Sequence, residues 1–223
     1  GQIFDLFTDG NYTSNPVWTT AGQYAAFSVA TNPTTGSNAL RIFKDAYECV
    51  ADAPSNGAKV GEWEFEITNN IVSAAGSSIQ LAFSPTTFQY NTATPYGPVG
   101  YNGDFVLIEK TYPNGNWFVR LYINNSLVSS YDAGTTYFGI ANAVYVKIVR
   151  TPNTAKVYID NILRCSATST SFNTPTKIGI GLGKTLDVTD CDWYVDSIFQ
   201  PQNTITGQWT SPILDLSATV TAF

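Results

Sequence analysis

Apolar and polar residues alternate through much of this chain. The alternation is clearest at residues 61–67, GEWEFEI, where Trp63, Phe65 and Ile67 fall between Glu62, Glu64 and Glu66. Side chains on a strand point alternately to its two faces, so the three apolar residues enter a core together while the glutamates stay outside it. Burying a row of carboxylates without cations costs far more than leaving them in water. The same period of two recurs at 24–30, 39–44, 78–84, 104–110, 116–123, 143–150, 155–160, 177–182 and 191–199, bounded by Gly, Pro, Asn and Ser clusters. No segment carries the helical period, so the pattern predicts an all-β antiparallel sandwich or barrel, with two packed sheets expected.

Turn chemistry and loop length add detail. LYINNSLVSS (121–130) and VYIDNILRCS (157–166) share one pattern, and Asn124-Asn125 and Asp160-Asn161 suit the left-handed backbone of two-residue hairpin turns. Residues 85–103 form the longest stretch without a strand pattern, and they carry Phe88, Tyr90, Tyr96 and Tyr101. Long loops in compact domains are usually functional or disordered, and four aromatic residues argue against disorder. Either these rings form a ligand surface or they cap an open end of the sandwich. In NWFVRLYI (116–123), packing Trp117, Val119, Leu121 and Ile123 inward leaves Phe118, Arg120 and Tyr122 on the opposite face, a second candidate platform. After Gln200 the pattern changes, so 1–200 reads as one domain and 201–223 as a linker or the first strand of a following module.

Composition narrows the chemistry. A net charge of −6, with eleven basic residues spread along the chain, leaves no stripe able to neutralise a phosphate backbone, so nucleic acid is not an expected partner. No run of 18 or more apolar residues is present, and membrane insertion is not expected. Methionine is absent, and the chain is expected to be a segment of a longer protein. The absence of histidine removes Ser/His/Asp and Cys/His nucleophile activation and most catalytic zinc sites. Cys49, Cys165 and Cys191 match no zinc spacing and allow one disulfide at most, or three buried thiols.

A family resemblance rests on VYVKIVRTPNTAKVYIDNILRCSATSTSF, KIGIGLG and WYVDSIFQ. These stretches resemble the back half of a concanavalin A-like domain of the laminin G-like jelly-roll kind, and the resemblance runs from about residue 4 to 199. It implies a two-sheet antiparallel jelly-roll β-sandwich, secreted or displayed on a cell surface, like lectins, adhesion modules and glycanases of this fold. It also implies a structural calcium ion, with Asp196 on the last strand and Asp5 or Asp9 near the N-terminus as ligands. In the laminarinase-like hydrolases of this fold the early Gly-x-Trp/Phe-Glu strand, which VGEWEFEI resembles, is not catalytic. Their acids lie on a later strand, which here reads Asp104, Val106 and Glu109, with valine in the central place. The expectation is a non-catalytic recognition module that binds glycan through Tyr90, Tyr96, Tyr101, Phe118, Arg120 and Tyr122. The alternatives are an adhesive or filament segment that contacts surface protein or its own copies, and a glycanase with altered acids.

Overall fold

The period-two segments fold as strands. The computed structural model describes residues 1–22, 26–44, 49–70, 78–89, 100–111, 115–138, 141–183 and 191–202, and there is no helix among them. In chain order the strands begin with β1 (Gln2–Asp5), β2 (Thr19–Gly22), β3 (Ala26–Thr31), β4 (Asn38–Lys44) and β5 (Cys49–Pro54). Next come β6 (Gly61–Asn69), β7 (Ser78–Gln89), β8 (Gly100–Lys110), β9 (Trp117–Ile123) and β10 (Ser126–Gly134). The described strands end with β11 (Ala143–Arg150), β12 (Thr154–Ile159), β13 (Ile162–Thr168), β14 (Lys177–Gly183) and β15 (Cys191–Gln200).

These strands make two antiparallel sheets. One has eight strands in the order β13-β12-β11-β6-β15-β4-β3, with β1 also paired to β15; the other has seven, in the order β10-β9-β8-β7-β14-β5-β2. Between them lies the main core. Trp63, Phe65 and Ile67 of β6 are buried in it, as are Trp117, Val119, Leu121 and Ile123 of β9. Rings meet from the two sides: Trp63 packs on Phe83 at 5.5 Å, and Trp117 meets Trp193 edge-on at 5.9 Å between centroids. Burying a large apolar side chain contributes roughly 1.5–3 kcal/mol, so this double row holds the layers together. Glu62, Glu64 and Glu66 sit half-exposed on the outer face of the eight-stranded sheet.

Both hairpin turns form as the sequence predicts, with φ of +49° and +65° at Asn124 and Asn125, and of +48° and +66° at Asp160 and Asn161. Their return strands, β10 and β13, are the outermost strands of the two sheets on the same side. They lie against one another, and the Ser166 N–H donates to Ser129 Oγ at 3.3 Å.

Residues 85–103 differ from the expected loop. Strand β7 continues to Gln89 and β8 starts at Gly100, with Phe88 opposite Tyr101 and Pro85 opposite Gly103. The register shifts twice, between Ala82 and Ser84 and between Pro85 and Phe88, and these irregularities hide the period of two. Gly103 has φ of +117°, and a Cβ there would stand 2.3 Å from the Ser84 carbonyl oxygen. Tyr90 and Tyr96 lie outside the described residues, as do residues 203–223 of the expected linker.

Asp192 lies on β15 and is buried, with Arg41 bridging both its oxygens at 2.9 and 3.1 Å. Cys165 is a free thiol, buried, whose S–H donates to the Val119 carbonyl at 3.3 Å, so it takes part in no bridge.

Candidate functional site

The outer face of the seven-stranded sheet brings aromatic, charged and amide side chains together. Alternation along each strand sets what it displays: Phe105, Leu107 and Glu109 from β8; Phe118, Arg120 and Tyr122 from β9; Gln80 and Ala82 from β7; Val50 and Asp52 from β5. A small second core forms here from Val50, Ala82, Tyr101, Phe105, Leu107 and Tyr122. The face divides into a covered half and an open half.

Tyr101 covers the half over β14 and β5. The end of the β7–β8 hairpin bends back so that the Tyr101 N–H donates to Gln80 Oε1 at 2.7 Å and Gln80 Nε2 donates to the Tyr101 carbonyl at 2.9 Å. Its ring lies against Gly179 of β14, where a Cβ would approach Tyr101 Cε2 to 2.4 Å. The phenol donates to Asp52 Oδ2 at 2.8 Å, and Lys177 Nζ holds the other oxygen of Asp52 at 2.8 Å. Burial, reinforced by the Asp52 charge, pushes the Tyr101 phenol well above its ordinary range. Tyr101 is 5% exposed. It is a fixed wall of the site, not the free contact that the sequence suggested.

The half over β8, β9 and β10 is more open at Phe118, Arg120 and Glu109, whereas Phe105 and Tyr122 are buried beneath them. Tyr122 stacks on Phe105 with centroids 4.6 Å apart and planes 15° from parallel. Arg120 is ion-paired with Glu109, and its guanidinium lies over the Phe118 ring at 4.9 Å. Ser130 and Asp132 of β10, opposite Arg120 and Phe118, extend the polar rim. Burial raises the Glu109 carboxyl above its ordinary value, against the pull of Arg120, and burial likewise raises the Tyr122 phenol. Aromatic edges beside a guanidinium–carboxylate pair offer both apolar contact and paired hydrogen-bonding groups to a hydroxyl-rich ligand.

Of the six residues expected to bind ligand, Tyr101, Phe118, Arg120 and Tyr122 are gathered on this one face. Glu109, Phe105, Gln80 and Gly179 complete it and were not expected. Their signal lay in alternation: DFVLIEK puts Phe105, Leu107 and Glu109 on one side, and KIGIGLG puts Gly179 and Gly181 on the other side from Ile178 and Ile180.

No family model matches this sequence, and no curated protein does. Solved structures do. The carbohydrate recognition domain of Emp47p is similar with a TM-score of 0.62 and 16% identity, over 88% of this chain and 92% of that one. The exoplasmic/lumenal domain of VIP36, in a Ca2+/Man3GlcNAc-bound form, is similar with a TM-score of 0.61 and 13% identity, over 83% and 85%. The β-glucanase of Bacillus licheniformis is similar with a TM-score of 0.57 and 17% identity, over 89% and 97%. The fold is that of the concanavalin A-like jelly rolls.

In this concanavalin A-like sandwich the carboxylates expected to hold calcium are not assembled. Asp196 is buried at a bulge of β15 and accepts from Asn32 Nδ2 at 2.8 Å, Thr35 Oγ1 at 2.5 Å and Ser37 Oγ at 3.1 Å, which ties the β3–β4 turn to the last strand. Asp5 accepts the Phe7 N–H at 2.8 Å and the Trp18 indole N–H at 2.7 Å, and Asp9 accepts the Asn11 N–H at 3.2 Å. Calcium takes six to eight oxygen ligands, and no group of three or more acidic, Cys or His side chains among the described residues could hold a metal ion. Asp5, Asp9 and Asp196 therefore do not share one metal-binding cluster among the described residues.

The acids of the glycanase alternative also fail to meet. Asp104 is fully buried, accepting from the Asn124 N–H at 3.0 Å, the Asn173 N–H at 2.8 Å and Asn173 Nδ2 at 2.8 Å, with Arg150 Nη1 at 3.8 Å. Glu109 is five positions further along β8, roughly 16 Å at strand rise. Paired glycosidase carboxylates stand about 5–9.5 Å apart. Between them Val106 points into the core.

Proposed function

We propose that this concanavalin A-like domain is a non-catalytic carbohydrate-recognition module of a secreted or cell-surface protein. Its glycan lies on the open half of the outer seven-stranded face, over Phe118, Arg120 and Tyr122, with Tyr90 and Tyr96 contributing from the β7–β8 connection. The observation that carries the reading is the Arg120–Glu109 pair set among Phe118, Tyr122 and Phe105 on the outer face of the seven-stranded sheet. Pairing with Glu109 orients the Arg120 guanidinium, so its remaining N–H groups meet ligand hydroxyls with little loss of side-chain freedom. Lectin-like structural neighbours described as carbohydrate recognition or glycan-bound domains support the same reading.

Glycan-array screening followed by affinity electrophoresis tests it. Arg120→Ala is expected to weaken binding by about tenfold or more, the equivalent of losing one charge-assisted hydrogen bond. Tyr90→Ala and Tyr96→Ala are expected to weaken binding as well. Lys156→Ala, exposed on β12 of the other sheet, leaves it unchanged. Binding to no glycan, or binding indifferent to Arg120 and Phe118, overturns the proposal.

A further inference from the structure

A depression of about 430 Å³ lies apart from that face, between the β10–β11 connection and the β12–β13 turn. Thr136, Tyr137, Asn142, Val144 and Asp160 are among its walls. The β10–β11 wall is anchored at both ends. Phe138 is buried against Trp117 at 5.5 Å, the Ala141 N–H donates to the Asn69 carbonyl at 3.0 Å, and Asn69 Nδ2 donates to the Phe138 carbonyl at 3.4 Å. The turn wall is anchored through Asp160, whose N–H donates to the Tyr145 carbonyl at 2.9 Å and whose Oδ1 accepts the Tyr145 N–H at 3.0 Å. The Tyr137 hydroxyl spans the two walls, donating to Asp160 Oδ2 at 2.9 Å.

From this geometry we infer that the depression is a second ligand site, which takes one neutral, hydroxyl-rich ring of monosaccharide size. Ligand sites begin at about 300 Å³ and combine apolar lining with a few fixed polar groups. Here Val144 and Ala143 supply the apolar part. Asp160 retains acceptor capacity on each oxygen, Asn142 brings an amide that both donates and accepts, and Thr136 adds a hydroxyl. Asp160 is the charged residue among these walls and repels an anion, and both its oxygens already accept a protein hydrogen bond, so the hydroxyl and amide groups beside it suit the hydroxyls of a neutral ring. Two sites on separate surfaces would let one chain bridge two branches or two glycans.

Titrating the 15N-labelled chain with methyl α-D-mannopyranoside and, separately, methyl β-D-glucopyranoside, each up to about 50 mM, tests the site at the affinity expected of single sugar rings. The amides of Thr136, Asn142, Tyr145 and Asp160 are expected to shift saturably with at least one glycoside. Asp160→Asn, which tolerates the positive φ of this turn, and Thr136→Val on the exposed wall are each expected to weaken those shifts by at least about fivefold, within the worth of one hydrogen bond. Arg120→Ala leaves them unchanged, which separates this site from the sheet face. Absence of shifts at these amides with both glycosides, or shifts that survive both Asp160→Asn and Thr136→Val, overturns the inference.

Discussion

Replacing Gly179 by alanine puts a single methyl group where Tyr101 already lies. The added Cβ would stand 2.4 Å from Cε2, 2.7 Å from Cδ2 and 3.0 Å from Cζ of that ring. Backing the tyrosine off as a unit is resisted, because Gln80 grips its backbone on both sides at 2.7 and 2.9 Å. The ring must swing instead, which breaks its 2.8 Å bond to Asp52. A hydrogen bond to a charged group is worth about 1.5–3 kcal/mol and forced overpacking costs about 1–3, so the loss comes to roughly 2–4 kcal/mol allowing for partial relaxation. Urea unfolding followed by tryptophan fluorescence measures it as a lower midpoint at unchanged slope. The test is a double-mutant cycle. In a Tyr101→Ala background nothing opposes the new methyl group, and Gly179→Ala is expected to cost less than about 0.5 kcal/mol there. Equal costs in the two backgrounds would show that the ring does not rest on β14 and would remove the wall from the site.

Asp104→Ala is expected to destabilise by about 3–5 kcal/mol in the same urea assay, because it leaves Arg150 buried without its carboxylate and unpins Asn124 and Asn173. A loss under about 1 kcal/mol would contradict the buried network. For Glu66, burial first and the Asp196 charge second raise the carboxyl above 4.5. The native state therefore holds that proton more tightly than the unfolded chain, and this group's penalty grows as pH rises through the folded value. Glu66→Gln is expected to be more stable than wild type at pH 7, with the advantage fading toward pH 4.5; a constant difference across that window would refute the assignment. Chelation with EDTA is expected to leave the melting temperature within about 1 °C, since the oxygens of Asp5, Asp9 and Asp196 are already engaged by protein donors. A fall of several degrees, reversed by Ca2+, would show that a cation supports the fold.

Strands with an uninterrupted period of two were legible in the sequence, and β6 and β9 display the faces that the alternation predicts. Strand β5 was not, because its core positions are Cys49, Ala51 and Ala53, too small to give a strong apolar rhythm. The β7–β8 hairpin was read as loop beyond Ser84, since bulges shift the phase of the pattern and glycines interrupt it. The partners of Asp192 and Asp196 left no local signal, since Arg41 and Thr35 lie 151 and 161 positions away. In the site, alternation placed Phe118, Arg120 and Tyr122 correctly but said nothing of depth. That Tyr101 is a wall depends on the hairpin bending back over glycines of another strand, a tertiary event without a local signature.

The contact between β10 and β13 bears on how copies of this chain meet. An outermost strand normally offers a row of open amides and carbonyls on which a foreign strand can polymerise. Here the rims of both layers lean on each other, and the Ser166 amide is engaged by Ser129, so that flank is a poor template for fibril growth. Strand-to-strand aggregation would have to start from the opposite flank, at β2 or β3.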